Sequence, residues 1–322
     1  MPDLSIVIVS YNVRELLRRC VQAVLNSQRP AGHTWDVWVI DNASADGSAA
    51  MIANEFPSVH CVASPDNLGF ARGNNTILRQ LGFGDGPPAT DRTPPDLVLL
   101  LNPDTEVAPD AIATMADFLI EHPAAGGCGA QLRYGDGRFQ HGAFMFPGLW
   151  QLWFDFHPPR GLVFDSRLNG RYPRAWYAAG QPFAIDFALG AALMVRRAAI
   201  EAAGLLDQDY FMYCEEVDWC WRMQRAGWPL WCVPRALVTH FEGQSTRQFR
   251  DQMVLALWRS RLRLYEKYYG PVRLWWARRL VRLGMRSEMQ RAHRQAQAGL
   301  LDENELARRL ATCQQVAQLA HS

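Results

Sequence analysis

An α/β fold with a mostly parallel central sheet flanked by helices, followed by a helical C-terminal extension, is what this 322-residue sequence predicts. Three observations carry that expectation. The near-continuous apolar runs "LSIVIVS" (4–10) and "DLVLLL" (96–101) read as strands buried on both faces, as in a parallel sheet covered by helices. Strand-like and helix-like segments alternate between them in a βαβαβαβ order, which implies helical crossovers. From residue 247 the chain becomes dense in Arg, Trp, Tyr and Leu at helical spacing.

The elements follow in order. "RELLRRCVQAVL" (14–25) has helical spacing, and "WDVWVID" (35–41) is the second strand. Ser44 is a candidate N-cap for a helix running to about Phe56. "VHCVAS" (59–64) is the third strand and "ARGNNTILRQL" (71–81) the third helix, with a Pro/Gly-rich loop at 82–95 before the fourth strand. Pro109 suits the first position of the next helix. Residues 131–187 are rich in aromatics and loop residues, suited to a lid or acceptor wall or to ordinary core packing.

Composition removes several classes. A hydrophobic fraction of 49% and a charged fraction of 20% are those of a globular protein, and a net charge of +1 offers no field for nucleic acid. Seven cysteines, an odd number without a C-x-x-C pair, argue against a disulfide framework or structural zinc and fit a reducing compartment. "MPDLSIVIVSYN" enters a strand at once, so no signal peptide is expected. No apolar run approaches the ~18 residues of a membrane-spanning helix.

In sheets of this type ligands sit at the carboxyl ends of the strands. Those ends carry Tyr11-Asn12, Asp41-Asn42, Asp66-Asn67 and Asn102-Pro103-Asp104, a gathering of acids and amides. Neither G-x-G-x-x-G after the first strand nor a P-loop is present, so a phosphate ligand needs another counter-charge. A divalent cation on Asp104 would supply it; a simple Asx turn is the alternative for that residue. Acids also stand among aromatics in "FMYCEEVDWCWR" (211–222). In a helix, Glu215, Asp218, Arg222 and Arg225 share a face that reads as solvated, with an Asp218–Arg222 pair. Glu216 falls with Trp219, Cys220 and Met223, which makes it a half-buried candidate general base or, alternatively, an acid that favours the helix start.

Six stretches in one order, "SIVIVSYN", "VWVIDNAS", "NLGFARGNN", "LLLNPDTEV", "ALGAALMVRR" and "FMYCEEVDWCWRMQRAGW", resemble the family-2 glycosyltransferases, above all the rhamnosyltransferase-like bacterial members that build cell-surface polysaccharides. The resemblance spans about residues 3–245 and implies a GT-A fold over 1–246, with a nucleotide-binding half (1–107), an acceptor half (108–246) and a basic amphipathic helical region at 247–322. It implies inverting transfer of a sugar, rhamnose being the candidate, from a nucleoside-diphosphate sugar to a saccharide or lipid-linked acceptor. By the same resemblance, Tyr11 and Asp41 hold the nucleoside, flanked by Asn67, Gly69, Arg72 and Asn74. Asn102 and Asp104 match the D-x-D position, with Asp104 and the later His240 on a divalent metal, Mg²⁺ or Mn²⁺. Gly190 and Ala191 underlie the acceptor pocket, with Asp186 and His141 as further acceptor-side candidates. Glu215-Glu216 matches the family's Glu-Asp pair, Glu216 being the base and Asp218 its reserve. The sequence departs from the pattern at Asn102, where the family's first Asp is replaced, at Asn74, where relatives carry Arg, and at Glu216, where they carry Asp.

Beyond Pro271, Leu274, Ala277, Leu280, Val281 and Gly284 face one way and Arg273, Arg278, Arg279, Arg282 and Arg286 another. Such a helix suits a membrane interface or packing on the rest of the chain, and residues 287–322 suit self-association as a homodimer. The expectation is a cytoplasmic enzyme peripheral to the inner face of the cell membrane. The rival expectations are a sugar-nucleotide pyrophosphorylase, which "SYNVRELL" fits poorly, and a catalytically inactive sugar-nucleotide-binding scaffold.

Overall fold

The computed structural model describes residues 3–29, 32–84, 93–159, 161–241 and 250–321. The centre of the expected 82–95 loop (85–92) and the head of the tail (247–249) lie outside them. In chain order the elements are β1 (Leu4–Ser10), α1 (Arg14–Leu25), β2 (Trp35–Asn42), α2 (Ser48–Glu55), β3 (His60–Ser64), α3 (Gly69–Gln80), β4 (Leu97–Leu101), β5 (Thr105–Val107), α4 (Ala111–Glu121), β6 (Gly127–Tyr134), β7 (Phe139–Gln140) and β8 (Ala143–Phe144). There follow α5 (Leu149–Phe156), α6 (Arg174–Ala178), β9 (Phe183–Ile185), β10 (Phe187–Ala188), β11 (Ala192–Arg196), α7 (Arg197–Ala203), α8 (Glu215–Arg225), β12 (Leu230–His240), α9 (Arg250–Tyr268), α10 (Pro271–Gln297) and α11 (Glu303–Leu319).

The chain forms two compact units, one of Met1–Phe146, Tyr172–Phe211 and Glu215–Ser245, the other of Pro147–Arg171, Met212–Cys214 and Thr246–Ser322. The smaller unit therefore draws Pro147–Arg171 and Met212–Cys214 out of the stretch expected to be one catalytic domain.

The larger unit holds the sheet, in the order β3-β2-β1-β4-β11-β6-β12-β5, with β7 on β6, β9 on β12 and a separate β8–β10 pair. From β3 to β4 every pairing is parallel, as the crossover order requires. The second half is mixed: β11 lies antiparallel between β4 and β6, β12 is parallel to β6, and β5 is antiparallel to β12. β1 and β4 are buried along their whole lengths, and Leu17, Val21, Met51, Ile52, Ile112 and Leu119 of the covering helices complete this core.

Three local expectations shift. α2 starts at Ser48, because the Asp46 carboxylate takes both the Ser48 backbone N–H (3.0 Å) and its hydroxyl (2.6 Å). Ser44 instead accepts the Asn12 backbone N–H through its hydroxyl. β3 is an edge strand with no fully buried residue, although it reads as apolar. α4 starts at Ala111, so Pro109 precedes its cap, Asp110.

In the smaller unit α5, α9, α10 and α11 close around Leu152, Phe156, Trp258, Leu262, Tyr265 and Val281. Of the two expectations for this stripe, packing on protein is the one met: Ala277 and Val281 are fully buried in that core, and a Cβ on Gly284 would meet the Phe156 ring at 2.4 Å. No helix among the described residues is long and apolar enough to cross a membrane.

Candidate active site

The parallel strands deliver their polar ends to one edge. Asp41, at the end of β2 and opposite Ser10 of β1, is 3% exposed. Its Oδ2 accepts the Ser44 N–H at 3.0 Å, while Oδ1 has no partner among the described residues and is free to accept from a ligand's donor. The loops after β1 and β2 are stapled together by Asn12, whose N–H reaches Ser44 Oγ (2.9 Å) and whose Oδ1 takes the Ala45 N–H (2.8 Å). Tyr11, half-buried, stands on that stapled loop.

The 67–74 segment divides between scaffold and site. Asn67 Oδ1 closes a turn on the Gly69 N–H (3.0 Å), and the Gly69 carbonyl accepts from Asn42 Nδ2 (3.1 Å). Gly69 has to be glycine: its φ is +72°, and a Cβ there would meet the Phe211 carbonyl oxygen at 2.2 Å. Arg72 is exposed and donates to the Gln208 carbonyl at 3.4 Å, so its guanidinium reaches solvent. Asn74 is 1% exposed and donates to the Phe70 carbonyl within α3, a buried position inside the helix.

At the end of β4, the Asn102 N–H donates to the Ala191 carbonyl at 3.0 Å, and the Asn102 carbonyl accepts the Thr105 hydroxyl at 2.7 Å. The first bond brings the Gly190-Ala191 segment against the Asn102–Asp104 turn. Antiparallel pairing of β5 with β12 sets His240 opposite Thr105, and the Phe241 N–H bonds the Asp104 carbonyl at 2.8 Å. Asp104 Oδ1 and His240 Nε2 then lie 3.4 Å apart, both side chains nearly buried. His240 Nδ1 has no partner among the described residues. The Asp104 carboxylate, with phosphate oxygens and water, is an oxygen donor of the kind Mg²⁺ and Mn²⁺ take; the His240 imidazole beside it is a nitrogen donor that fits a transition-metal ion such as Mn²⁺ better than Mg²⁺. No group of three or more His, Cys, Asp or Glu side chains that could hold a metal is found among the described residues.

Glu216 enters from α8. The chain reaches that helix through Tyr213 and Cys214, both at positive φ (71° and 67°), a conformation that costs non-glycine residues of order 1 kcal/mol or more. Glu216 is half-buried, and its Cβ lies 3.8 Å from where a Gly190 Cβ would stand, so any side chain at residue 190 would narrow the space before its carboxyl. Loss of hydration pushes that carboxyl up to about 7, against the lowering effect of the Glu216 and Val217 backbone N–H groups. Glu215 is 4% exposed; burial, reinforced by the neighbouring Glu216 charge, holds its carboxyl well above the usual range. Its Oε2 has no partner among the described residues.

Three expected residues are engaged within the fold. The Glu215–Asp218 face is buried rather than solvated. Asp218 is fully buried and accepts from Arg222 Nε at 2.8 Å, while Arg222 also donates to the Ala203 and Leu205 carbonyls. That network anchors α8 to the end of α7 and engages the Asp218 carboxylate within the fold. Asp186 accepts the Phe146 N–H at 2.7 Å, and its own N–H bonds the Tyr172 hydroxyl at 3.0 Å. Its backbone is held by Gln224, two helical turns beyond Glu216. His141 packs edge-on against Phe139 and Tyr177. Sequence reasoning missed Phe70 and Phe211. Phe70 lies 3.2 Å from the Gly190 Cβ position, and Phe211, 45% exposed, covers Gly69. Both stand inside the quoted motifs, and their only signal was an aromatic residue beside a glycine or an acid pair.

Acids and amides thus share the strand-end edge of the mixed sheet, and the Glu216 carboxyl, pushed up by burial, lies near Gly190. The model of the glycosyl transferase family 2 domain matches residues 5–160. The N-acetylglucosaminyl-diphospho-decaprenol L-rhamnosyltransferase of Mycobacterium tuberculosis is 31% identical over 255 residues, covering 76% of this chain and 77% of that protein. The fold is also that of the Pyrobaculum calidifontis mannosyltransferase PcManGT solved with GDP-Man and Mn²⁺ (TM-score 0.58, 15% identity, 99% of this chain and 86% of that one). GalNAc-T7 with UDP, GalNAc and Mn²⁺ shares it too (TM-score 0.57, 15% identity, 84% of this chain and 49% of that one). The chain belongs to glycosyl transferase family 2, with the GT-A fold, and is a glycosyltransferase.

Proposed function

We propose that this enzyme is an inverting, metal-assisted glycosyltransferase that moves rhamnose from a nucleoside-diphosphate sugar to a hydroxyl of a lipid-linked saccharide in cell-envelope polysaccharide synthesis. The observation that carries the reading is the meeting of Asp104 and His240 through the β5–β12 pairing, next to the Asn102–Ala191 bond that places Gly190 near Glu216, whose carboxyl burial pushes up to about 7. The sugar and the lipid-linked acceptor come from the name of the Mycobacterium tuberculosis relative.

The geometry supports the following roles. Asp41 Oδ1 accepts from the nucleobase. Asp104 and His240 would hold the divalent metal on the donor's diphosphate, where it offsets the charge that grows on the leaving group. Glu216, ionised, takes the proton of the acceptor hydroxyl as it attacks the anomeric carbon. Burial raises the Glu215 carboxyl well above the usual range, which disfavours a second negative charge beside the base. A single displacement leaves the new bond with the opposite anomeric configuration and no covalent enzyme intermediate. All seven cysteines are free thiols, in keeping with a reducing cytoplasm, and a lipid-linked acceptor keeps the reaction at the inner membrane surface.

Incubation with nucleoside-diphosphate rhamnose and a lipid-linked N-acetylglucosaminyl diphosphate, with the product linkage read by NMR, tests the proposal. Transfer with inversion that stops in excess chelator is the expected result. Retention of configuration, or undiminished transfer without divalent metal, would refute the corresponding part.

A further inference from the structure

α10 has a second apolar face. At about 100° per residue, Val272, Trp275, Trp276, Arg279, Leu283 and Arg286 fall in one stripe roughly 100° wide, opposite the stripe of Ala277, Val281 and Gly284 that faces the helical core. The four apolar members are open to solvent: Val272 is 72% exposed, Trp275 51%, Trp276 47% and Leu283 44%. A soluble helix already buried along one side has no packing reason to carry paired tryptophans on the other. The charge on this helix is one-sided as well. Between Pro271 and Ser287 stand Arg273, Arg278, Arg279, Arg282 and Arg286 with no acid, the first being Glu288. Arg279 lies over the Trp275 ring at 5.6 Å, so the aromatic and cationic groups share one surface.

We infer that the Val272–Arg286 face of α10 is a docking surface for an anionic phospholipid bilayer, with Trp275 and Trp276 seated at headgroup level and Arg279 and Arg286 against lipid phosphates. Tryptophan suits the boundary between headgroups and chains, and arginine adds attraction to an anionic leaflet. The inference rests on the proposed membrane-bound acceptor for its purpose, but its chemistry stands on this surface alone. The lipid face is thus the reverse of the apolar stripe that the sequence pattern singles out.

The test uses the full chain with sedimented vesicles of phosphatidylcholine, with and without phosphatidylglycerol. The unsubstituted protein should bind the anionic vesicles and be released as salt rises. Trp275→Ser with Trp276→Ser should lower partitioning by on the order of tenfold to a hundredfold, given the apolar area withdrawn from lipid. Arg279→Glu with Arg286→Glu should abolish the preference for anionic vesicles. All four side chains point away from the core, so circular dichroism and thermal midpoint should be unchanged. Unaltered vesicle binding by the tryptophan variant would overturn the inference. So would a dimer of the unsubstituted chain that the variant dissociates while neither protein binds vesicles, since the face would then join two copies. Vesicle binding that follows the inference while rhamnosyl transfer fails would refute the proposed function and leave this surface standing.

Discussion

The larger unit presents its functional groups at strand ends, whereas the smaller one presents them along the sides of a helix. The difference governs how far chemistry can be placed from pattern alone. A parallel strand has one carboxyl end, and neighbouring parallel strands deliver theirs to the same edge, so Asp41, Asn102 and Asp104 had nowhere else to meet. A helix side carries no such direction. Its periodicity says that a stripe exists, but not whether protein, lipid or water covers it. On α10 the more regular apolar stripe is covered by protein, and the aromatic one is left bare. α8 combines both cases: it brings Glu216 to the strand-end site, while its Asp218 side is buried against α7.

The largest expected effect tests whether the helix side of Glu216 belongs to the strand-end site. Glu216→Gln keeps shape but cannot accept a proton, so turnover should fall by on the order of 10²–10⁴-fold with donor affinity nearly unchanged. In the unsubstituted enzyme, turnover should decline as pH falls through about 7, because the base is lost on protonation. Stability moves the other way. The native carboxyl holds its proton more tightly than the unfolded one, so the Glu216 contribution to stability should decrease as pH rises from about 4.5 towards about 7 and level off above, while Glu215, also raised, adds a slope of the same sign. Glu216→Gln should flatten that slope, leaving the part due to Glu215, and gain on the order of 1 kcal/mol at pH 8, after allowance for partial exposure. Pre-steady-state kinetics and thermal melts across pH read both, and an unchanged turnover with an unchanged melt profile would remove Glu216 from the site.

Next in size is the strand end itself. Asp104→Asn should lower turnover by about 10²-fold, since a ligand that offsets leaving-group charge contributes several kcal/mol. His240→Ala should weaken Mn²⁺-dependent nucleotide binding, read by calorimetry with the metal titrated. Full nucleotide binding by both variants at limiting metal would show that the Asp104–His240 pair is structural.

Smaller again for turnover, though not for stability, is Asp218→Asn. Removing the charge opposite Arg222 in a fully buried network should cost about 2–4 kcal/mol, while turnover per folded molecule stays near normal. Denaturant unfolding alongside active-site-normalised rates separates the two. Collapse of turnover without loss of stability would return Asp218 to the role of base.

What was legible follows the same division. The βαβαβαβ order, the strand-end acids and the half-buried phase of Glu216 were readable because buried strands and the 3.6-residue period leave direct marks in sequence. The antiparallel insertion of β11 was not, since "ALMVRR" reads the same in either direction. Asp186 and Tyr172 are joined only by the fold, and Asp218 looked solvated because its partner Arg222 is charged, although both lie against the carbonyls after α7. Pro147–Arg171 reads as part of an acceptor wall, yet α5 supplies Leu152 and Phe156 to the helical core.

The smallest effect is expected at Gly284, and it decides which side of α10 is covered by protein. In an exposed helix, Gly→Ala stabilises by roughly 0.5–1 kcal/mol, because alanine loses less backbone freedom on folding. At Gly284 the new Cβ would stand 2.4 Å from three atoms of the Phe156 ring. That ring is 3% exposed and stacked on Trp258 with centroids 5.3 Å apart and planes within 7°, so it cannot swing aside as a flexible chain end would. Overpacking of this kind costs about 1–3 kcal/mol, which exceeds the propensity gain, so Gly284→Ala should lower stability. Phe156→Leu in the same chain should recover part of the loss, a compensation expected only if the two residues touch. If this stripe instead met lipid, Gly284→Ala would raise the thermal midpoint in the absence of membranes, and Phe156→Leu would act independently of it. A two-by-two set of melts distinguishes the cases without any assay of transfer.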